Sequence, residues 1–430
     1  MKTAAIIAEY NPFHNGHRYQ IEQTRKLTGA DTIIVLMSGN FIQRGGPAVI
    51  EKYSRTKMAL ESGADVVFEL PVCFATSSAP FFAKGAVMLL DLCGCIDFLC
   101  FGSESGNLSL FYSLSDLLLN ESKNFQSCLK QELRSGKTFP AAREKSILEA
   151  LHFCEGNDIN LEYSSVSEFL SSPNNILGLE YVKALRERNS TITPITILRK
   201  GSGYHSKELK EKYCSATGFR SFYESFAQTK QILSFDRLNE HFKDLLPETS
   251  LKILFDAFGK TAPICEQDFA SILQYLCLTS SKEHLSSIFE IGSELADRIH
   301  NQSVFPCSFD DLVVRLKTRQ ITRTRILRGL FHLLLGLRKE DMNSYLQDNG
   351  YLRLLGFRSS ATVFLKHLKT SASIPVLTKP AAAKRLLSSV SFRMFELDLL
   401  AARLYHQIVY TCYGIVLSDE YKQSPIIVKT

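Results

Sequence analysis

The first hundred residues alternate short apolar runs with amphipathic segments, and this alternation constrains the fold more than any other feature. Apolar runs at residues 4–8, 31–37, 64–71 and 96–105 have the length and composition of buried strands. Segments with helical periodicity separate these runs. Strands joined by helices form right-handed βαβ units, so the sequence predicts an α/β fold with a parallel sheet.

The pattern changes after the first half of the chain. We expect one more strand at residues 191–200, then a turn and the start of a helix at residues 212–226. From about residue 226, amphipathic helical segments run almost to the end. The sequence therefore predicts two domains, an α/β domain over residues 1–225 and an all-helical domain over residues 226–430.

Composition narrows the class of protein. The chain is 45% hydrophobic and 22% charged, which is typical of a soluble globular protein. No apolar run reaches the roughly 18 residues that a membrane span requires, and the N-terminus has no signal-peptide pattern. Eleven scattered cysteines favour reduced thiols over a disulfide framework. We therefore expect a cytoplasmic protein without a membrane partner, and the sequence leaves its oligomeric state open.

Two histidines follow the first predicted strand, where the chain turns into its first helix. His14 and His17 flank Gly16 in the segment NPFHNGH, and Asn15 is suited to cap the helix. A helix N-terminus attracts anions, and a glycine lets a bulky ligand approach the backbone. The imidazoles could donate hydrogen bonds to phosphate oxygens that gain charge during a reaction. From spacing alone, two surface histidines are an equally good interpretation, and a metal site lacks further ligands of suitable spacing.

Three loops are expected at one edge of the predicted sheet. They are the NPFHNGH turn, the glycine-rich loop SGNFIQRGGPAVI and the loop FGSES after the fourth strand. Ligands of parallel sheets bind at the carboxyl ends of the strands. These loops should therefore line a single crevice.

Positive charge is concentrated in the second half of the chain. Residues 311–410 contain 17 basic and 6 acidic residues. The densest part is the segment RLKTRQITRTRILR, whose six cations are Arg315, Lys317, Arg319, Arg323, Arg325 and Arg328, with no acid between them. A stretch of one sign and this density is suited to the phosphates of a nucleic acid. A solvated basic surface without a partner is the alternative.

Two motifs together carry a family resemblance. NPFHNGH matches the HxGH signature of the nucleotidylyltransferase superfamily, and CSATGFR supplies that superfamily's second motif in the correct order. Residues 1–225 more specifically resemble the bacterial tRNA(Met) cytidine acetate ligase family, through AEYNPFHNGH, SGNFIQRGGPA, FGSESGN, FPAAR, SPNNILGLEYVKAL and GYH…CSATGFR. The resemblance implies a Rossmann-like HxGH nucleotidylyltransferase domain followed by the helical domain.

The resemblance also implies an activity and its site. Members of that family activate acetate with ATP and transfer the acetyl group to the wobble cytidine of elongator tRNA(Met), forming 4-acetylcytidine. It implies ATP as a substrate, with Mg²⁺ bridging the phosphates, and it assigns His14, His17, Thr217 and Arg220 to catalysis. The implied ATP contacts are Ile7, Ala8, Glu9, Tyr10, Asn11, Pro12, Phe13, Asn15, Gly16, Arg18, Tyr19, Gln20, Gly102, Asn174, Asn175, Arg199 and Ser215. Either asparagine could instead be a helix N-cap, and acetate is expected near the SGNFIQRG loop.

These residue types suit the implied chemistry. When a carboxylate attacks the α-phosphorus of ATP, charge builds on the α-phosphate and on the departing diphosphate, so catalysis depends mainly on positioning and electrostatics. His14 and His17 can donate to those oxygens. Arg199 and Arg220 can bind the diphosphate in a bidentate manner.

Two other functions remain open at this point. A small-molecule adenylyltransferase of the pantetheine-phosphate or nicotinate-mononucleotide kind would share both motifs, but it would not need a basic helical domain. A non-catalytic RNA-binding protein on the same fold would be expected to have lost His14, His17 or Arg220, and all three are present. The sequence therefore favours the ligase that acetylates RNA.

Overall fold

In the computed structural model of the protein, the described residues are 1–152, 163–199, 216–228 and 233–429. The strands are β1 (Thr3–Ala8), β2 (Thr32–Ser38), β3 (Phe41–Ile42), β4 (Gly46–Pro47), β5 (Val66–Leu70), β6 (Phe98–Ser103), β7 (Thr193–Leu198), β8 (Leu352–Arg358), β9 (Val376–Leu377) and β10 (Ile426–Val428). The helices of the first half are α1 (Asn15–Thr28), α2 (Lys52–Glu61), α3 (Val72–Ala75), α4 (Ala79–Asp91), α5 (Leu108–Leu119), α6 (Lys123–Arg134), α7 (Phe139–His152), α8 (Tyr163–Ser171), α9 (Pro173–Glu187) and α10 (Ala216–Gln228).

The helices of the second half are α11 (Phe235–Phe242), α12 (Glu248–Ala257), α13 (Ala270–Thr279), α14 (Lys282–Ser287), α15 (Ser293–Gln302), α16 (Phe309–Leu316), α17 (Arg323–Leu335), α18 (Lys339–Gln347), α19 (Thr362–Ser371), α20 (Ala383–Leu386) and α21 (Ser389–Tyr413). Short 3-10 helices occupy Glu266–Phe269, Ser359–Ala361 and Pro380–Ala382. None of the helices in the described residues is both long enough and apolar enough to span a bilayer.

One sheet organises the molecule. Its strand order is β10-β8-β5-β2-β1-β6-β7, with β9 beside β8. The pairs are parallel except β5 with β8, which is antiparallel. The predicted α/β fold with a largely parallel sheet is therefore confirmed. Because the chain continues from β1 to β2 on one side and reaches β6 on the other, the direction of winding reverses beside β1, where ligands of such sheets bind.

The second half is mainly helical, as predicted, but it also contributes strands. β8 pairs with β5, and β10 and β9 pair with β8. The expectation that strands end near residue 226 is wrong at these three short segments. β8 is stabilised by its distant partner β5 and is flanked by helical sequence, so local periodicity does not reveal it. The two halves share a sheet, and their division into domains at residue 225 stays a prediction.

Apolar layers cover both faces of the sheet. Alternate residues of β2 point to opposite layers, with Ile34 and Leu36 in one layer and Ile33 and Val35 in the other. α4 and α9 cover the first face, while α2, α10, α11 and α12 cover the second. A third apolar cluster lies among α13, α15, α16, α17 and α21.

A buried ionic cluster joins the two halves of the chain. Lys52 Nζ lies 2.7 Å from Glu69 Oε1 and 3.2 Å from Glu420 Oε1. Arg353 contacts both of these carboxylates. All four side chains are at most 5% exposed. Two cations face two anions, so each buried charge has an opposite partner and the desolvation penalty is offset.

Removing one member of this cluster should be costly. Arg353→Met leaves two buried carboxylates with a single cation, and we expect the free energy of unfolding to fall by about 3–5 kcal/mol. Urea denaturation measures this change. The matched control is Arg403→Met, which removes an arginine that is 58% exposed and 4.0 Å from Asp419; its effect should stay within about 0.5 kcal/mol. Equal effects of the two substitutions would contradict a stabilising role for the cluster.

Candidate active site

Two adjoining cavities lie at the carboxyl ends of β1 and β6. The larger has a volume of about 570 Å³ and lies between the ends of these strands and α4, α9 and α17. The smaller has a volume of about 320 Å³ and lies between α1 and β7. His14, His17, Gln20, Gly102 and Arg199 line both. The cavities therefore form one crevice, at the edge of the sheet that the sequence predicted.

Most of the predicted ATP-binding and catalytic residues in the described part of the chain meet in this crevice. The larger cavity is lined by Ile7, Ala8, Glu9, Tyr10, Asn11, His14, His17, Gln20, Gly102, Asn174, Arg199 and Arg220. The smaller one adds Asn15, Gly16 and Tyr19.

Four predicted contacts lie elsewhere. Pro12 and Phe13 are buried beneath the turn, Arg18 is exposed and 3.7 Å from Glu22, and Asn175 is buried. Ser215, the side chain of Thr217 and the GYH segment lie outside the described residues.

The two histidines of the motif stack on each other. Their ring centroids are 3.6 Å apart and the ring planes differ by 17°. His14, and not Asn15, is the N-cap of α1, because Asn15 already has helical geometry. Asn15 instead ties α1 to the C-terminal half, since its amide donates to Leu245 O at 2.8 Å and its side chain to Asp244 O at 2.9 Å.

Hydrogen bonding fixes the tautomer of His17. The amide of His14 donates to Nδ1 of His17 at 3.2 Å, so this nitrogen is unprotonated and the neutral ring carries its proton on Nε2. Burial, with His14 and Arg199 nearby, lowers the pKa of His17 well below its ordinary value. Burial, Arg199 and Arg220 lower the pKa of His14 to about 4. Both imidazoles are therefore neutral hydrogen-bond donors at neutral pH.

The start of α1 differs from the expectation in two respects. A Cβ on Gly16 would lie 2.8 Å from Cε1 of His14, so the glycine, which lines the smaller cavity, also makes room for the His14 ring. The amides of His17 and Arg18 donate to His14 O, and that of Asn15 is used as above. Among the described residues this leaves the amide of Gly16 as the open donor of the first turn.

Two arginines lie on the same side of the crevice as the histidines. Nη1 of Arg220 donates to Asn11 O at 2.7 Å, which ties α10 to the NPFHNGH turn. Arg199 lies across the end of β6, where a Cβ on Gly102 would be 3.4 Å from its Cγ. A glycine at position 102 thus keeps the end of β6 open beneath the Arg199 side chain.

The Asn174–Asn175 pair divides into two roles. Asn174 lines the larger cavity and donates to Glu104 Oε1 at 2.5 Å. Asn175 is 2% exposed, and its Oδ1 accepts the amides of Glu104 and Ser105 at 3.0 and 3.2 Å. Ser172 is the N-cap of α9, so neither asparagine caps the helix. Asn175 therefore fixes the FGSES loop, and Asn174 is the member of the pair that faces the crevice.

A buried guanidinium fixes the strand ends beneath the crevice. Arg55 is fully buried, and its Nη1 donates to Glu9 O at 2.6 Å and to Ser38 O at 2.9 Å. Its Nη2 donates to Gly39 O. The Glu9 carboxylate accepts the amide of Gln43 at 2.8 Å, and burial raises the pKa of this carboxyl group. The glycine-rich loop, which contains the β3–β4 hairpin, is thereby attached to the end of β1.

Sequence reasoning missed several residues that line the larger cavity. They are Ile42, Gln43, Arg44, Ala79, Phe82, Phe101, Glu104, Pro173, Leu177, Tyr181 and Thr324. Gln43, Arg44 and Glu104 belong to loops that were expected at this edge, so the loops were found but not the side chains. The apolar residues of α4 and α9 carry a periodicity that signals burial alone.

The basic stretch separates into an inner and an outer part. Arg328 lines the larger cavity and lies 2.9 Å from Glu290. Arg323 lies 3.3 Å from Glu266 and 3.1 Å from Asp310. Three exposed cations of the basic stretch form no ion pair with any described residue: Lys317, Arg319 and Arg325. Arg315 is half-buried. The stretch contains no acids in sequence, but folding brings acids from elsewhere to two of its members.

Comparisons with known proteins agree with the geometry. The family described as HIGH Nucleotidyl Transferase matches residues 1–415. The tRNA(Met) cytidine acetate ligase of Acetivibrio thermocellus is 37% identical over 408 residues, 94% of each chain. The enzyme of the same name from Clostridium novyi is 37% identical over 431 residues and the full length of both chains. The crystal structure of Thermotoga maritima TmcAL bound with alpha-thio ATP superposes with a TM-score of 0.88 at 29% identity, covering 100% of both chains.

The histidine pair gives a prediction on protonation. At pH 6 we expect His17 to be neutral with its proton on Nε2, because burial disfavours the imidazolium and Nδ1 accepts a backbone amide. Nitrogen-15 NMR of imidazole-labelled protein, assigned with a His17→Asn variant, measures the tautomer and the titration. An imidazolium or an Nδ1-protonated ring at pH 6 would contradict the assignment.

The same pKa shifts predict a pH dependence of stability. The folded-state pKa of each histidine lies below its unfolded value, so the unfolded chain binds more protons below about pH 6.5. The contribution to stability is complete above that pH and is lost as the pH falls toward 4. Urea denaturation from pH 7 to 4.5 should show a smaller loss of unfolding free energy for a His14→Asn, His17→Asn double variant than for the parent. Equal losses would contradict the assigned shifts.

Proposed function

Since the chain belongs to the tRNA(Met) cytidine acetate ligase family of HIGH nucleotidyl transferases, we propose that it activates acetate with ATP and acetylates the wobble cytidine of elongator tRNA(Met). The observation that carries the proposal is the crevice itself. Two neutral histidines and the cations Arg199 and Arg220 surround one space at the carboxyl end of β1. The product would be 4-acetylcytidine, and the enzyme would act in the cytoplasm, where tRNA is processed.

ATP is proposed to bind on the α1 side of the crevice. The adenosine would occupy the smaller cavity over Gly102, and Arg199 and Arg220 would hold the β- and γ-phosphates. Ser215 and Thr217 of the CSATGFR motif are proposed to add hydroxyl donors to the same phosphates. The described residues contain no group of three His, Cys, Asp or Glu side chains able to hold a metal ion. We propose that Mg²⁺ would enter with ATP, where it would offset the charge of the phosphates.

The reaction is proposed to have two steps. First, one carboxylate oxygen of acetate attacks the α-phosphorus, the bond to the β-phosphate oxygen breaks, and pyrophosphate leaves acetyl-adenylate in the crevice. Second, the exocyclic amine of cytidine attacks the acetyl carbonyl, AMP leaves, and the amine loses a proton to give the amide. The protein forms no covalent bond, so its contribution is to position the reactants and stabilise the developing charge.

The stacked histidines fit a role in the transition state. Neutral imidazoles donate hydrogen bonds without adding a full charge, so they gain most where oxygen charge increases during the reaction. The fixed charges of Arg199 and Arg220 already attract ATP in the ground state. We therefore assign ground-state binding mainly to the arginines and transition-state stabilisation mainly to His14 and His17.

Acetate-dependent exchange of labelled pyrophosphate into ATP tests the activity directly. Replacing His17 with alanine should lower single-turnover adenylation by about 10²- to 10³-fold, because a donor to the developing charge is lost. Calorimetric ATP affinity should weaken only modestly. The matched control is His284→Ala, since His284 is an exposed histidine on α14. A His17→Ala enzyme that loses ATP affinity but keeps its saturated rate would make His17 a binding residue, contrary to this assignment.

The tRNA is proposed to bind along the exposed part of the basic stretch. Lys317 and Arg319 lie between α16 and α17, and Arg325 lies in the first turn of α17. α17 also lines the crevice. RNA bound there would approach the crevice from the α17 side. Arg323 is a weaker candidate, because Glu266 and Asp310 already compensate its charge.

Charge removal at this surface tests the tRNA proposal. Replacing Lys317, Arg319 and Arg325 together with glutamine should weaken tRNA binding, and the slope of log K against log salt should fall by about 2 if three single-strand contacts are lost. ATP affinity should not change. The matched control replaces Lys2, Lys26 and Lys57 with glutamine, which removes the same charge at three exposed lysines outside the basic stretch. Equal losses of tRNA affinity in the two triple variants would mean that net charge, and not this surface, governs binding.

A further inference from the structure

Arg328 lies apart from the exposed cations of the basic stretch. With Thr324 it is contributed by α17 to the larger cavity. Its Nη2 donates to Glu290 Oε2 at 2.9 Å, and the two side chains are only 14% and 9% exposed. Glu290 Oε1 in turn accepts the amide of Ser78, just before α4, at 2.9 Å. The guanidinium is therefore held in one position at the wall of the crevice.

The backbone conformation of Glu290 indicates that the position of its side chain beside Arg328 is specifically required. Glu290 has a φ of 65°, in the left-handed region that a residue with a side chain adopts at a cost. Burial alone would raise the pKa of this carboxyl group, but Arg328 beside it brings that pKa below its ordinary value. Glu290 is thus an anion that orients Arg328.

Arg328 retains a hydrogen-bond donor without a partner. Its Nε is buried and unpartnered among the described residues, and so is Nε2 of Gln43. Both residues line the larger cavity. Their elements touch, since a Cβ on Gly45 of the hairpin turn would lie 2.3 Å from Arg328 N. Buried polar atoms are nearly always paired in folded proteins, so these two donors on adjoining elements indicate an acceptor that the protein itself does not supply. The hydroxyl of Tyr10 and Nδ1 of His14 are also unpartnered among the described residues, on the β1 side of the same cavity.

An apolar wall lies in the same cavity, beside the polar side chains of Asn174 and Glu104. Ala79 and Phe82 of α4 and Leu177 and Tyr181 of α9 line the same cavity. A cation and an amide beside an apolar wall suit a small ligand with charged oxygens at one end and a hydrocarbon group at the other. A phosphate lacks the hydrocarbon group, whereas a short-chain carboxylate has both.

We propose that Arg328 and Gln43 bind the carboxylate of the acyl substrate, with its methyl group against the wall formed by α4 and α9. This inference rests on the proposed function, since it names the site for the acid that ATP activates. Arg199 and Arg220 remain for the phosphates on the α1 side, so the two anionic substrates have separate cations. Glu290 is a positioning residue that acts through Arg328.

The chemistry of adenylation defines the kinetic signature. Arg328 contacts the carboxylate before reaction. One carboxylate oxygen then forms the new bond to the α-phosphorus while pyrophosphate leaves. The charge of the carboxylate disappears as the mixed anhydride forms, so the interaction is strongest in the ground state. Loss of Arg328 should therefore act mainly on the KM for acetate, and much less on kcat.

Pyrophosphate exchange without tRNA isolates this step. Arg328→Gln should raise the KM for acetate by about 10- to 100-fold, as expected for loss of a charge-assisted hydrogen bond, with the KM for ATP unchanged. Arg328→Lys should recover part of the affinity, and Glu290→Gln should give a smaller increase in the KM for acetate. The matched control is Arg188→Gln, which removes an arginine 2.9 Å from Asp91 near the C-terminal ends of α9 and α4, away from the crevice. The control should not change the KM for acetate.

The outcomes separate this inference from the proposed function. If the parent enzyme shows no acetate-dependent exchange, the proposed function fails. If the parent exchanges and Arg328→Gln keeps its KM for acetate, the inference is overturned, and selective loss of acetyl transfer would then assign Arg328 to the RNA. Thermal denaturation reports whether Arg328→Gln folds. If it does not fold, Gln43→Leu decides the question, because it removes the second donor and should raise the KM for acetate alone.

Discussion

The crevice depends on one buried guanidinium. The charged side chain of Arg55 is fully buried. It donates hydrogen bonds to the main-chain carbonyls of Glu9, Ser38, Gly39 and Ile50. The carbonyls of Glu9, Ser38 and Gly39 lie where β1 and β2 end, beyond the last ladder hydrogen bonds of these strands, and that of Ile50 lies just before α2. A neutral residue at this position would leave several of them unsatisfied and buried. The NPFHNGH turn and the glycine-rich loop therefore start from strand ends that are fixed relative to each other.

Charge in the crevice is divided between residues that can change it and residues that cannot. The histidines are held neutral by burial and by the nearby arginines. The arginines stay charged at any pH at which the protein folds. The positive charge that attracts anionic substrates therefore comes from the arginines, and the histidines contribute directional hydrogen bonds. This division fits a site in which a highly charged nucleotide must bind without neutralising the donors that assist its reaction.

The sequence predicts this site well where its parts are local. The apolar run of β1, the turn and α1 are consecutive, so periodicity and residue type are enough to place His14 and His17 at a strand end. It predicts poorly where pairing is distant. β8 is a strand because β5 is beside it, and Arg323 and Arg328 are neutralised by acids that precede them by many residues. Counting charge along the stretch could not separate Arg328 from Arg325, although one faces the crevice and the other faces solvent.

The contact at Gly45 has a consequence for how this crevice can change through evolution. The glycine has a φ of 76°, and the hairpin turn meets α17 backbone to backbone at Leu327 and Arg328, with no side chain between them. Nothing compressible separates the two, so the elements that carry Gln43 and Arg328 cannot move closer together, and these residues form one side of the crevice. A lineage that came to accept a longer acyl chain would need a larger space at the apolar wall, through smaller side chains at Phe82 or Leu177. The polar side of the crevice would stay as it is. Selectivity for chain length and recognition of the carboxylate are then separable traits, carried by different helices and free to drift at different rates.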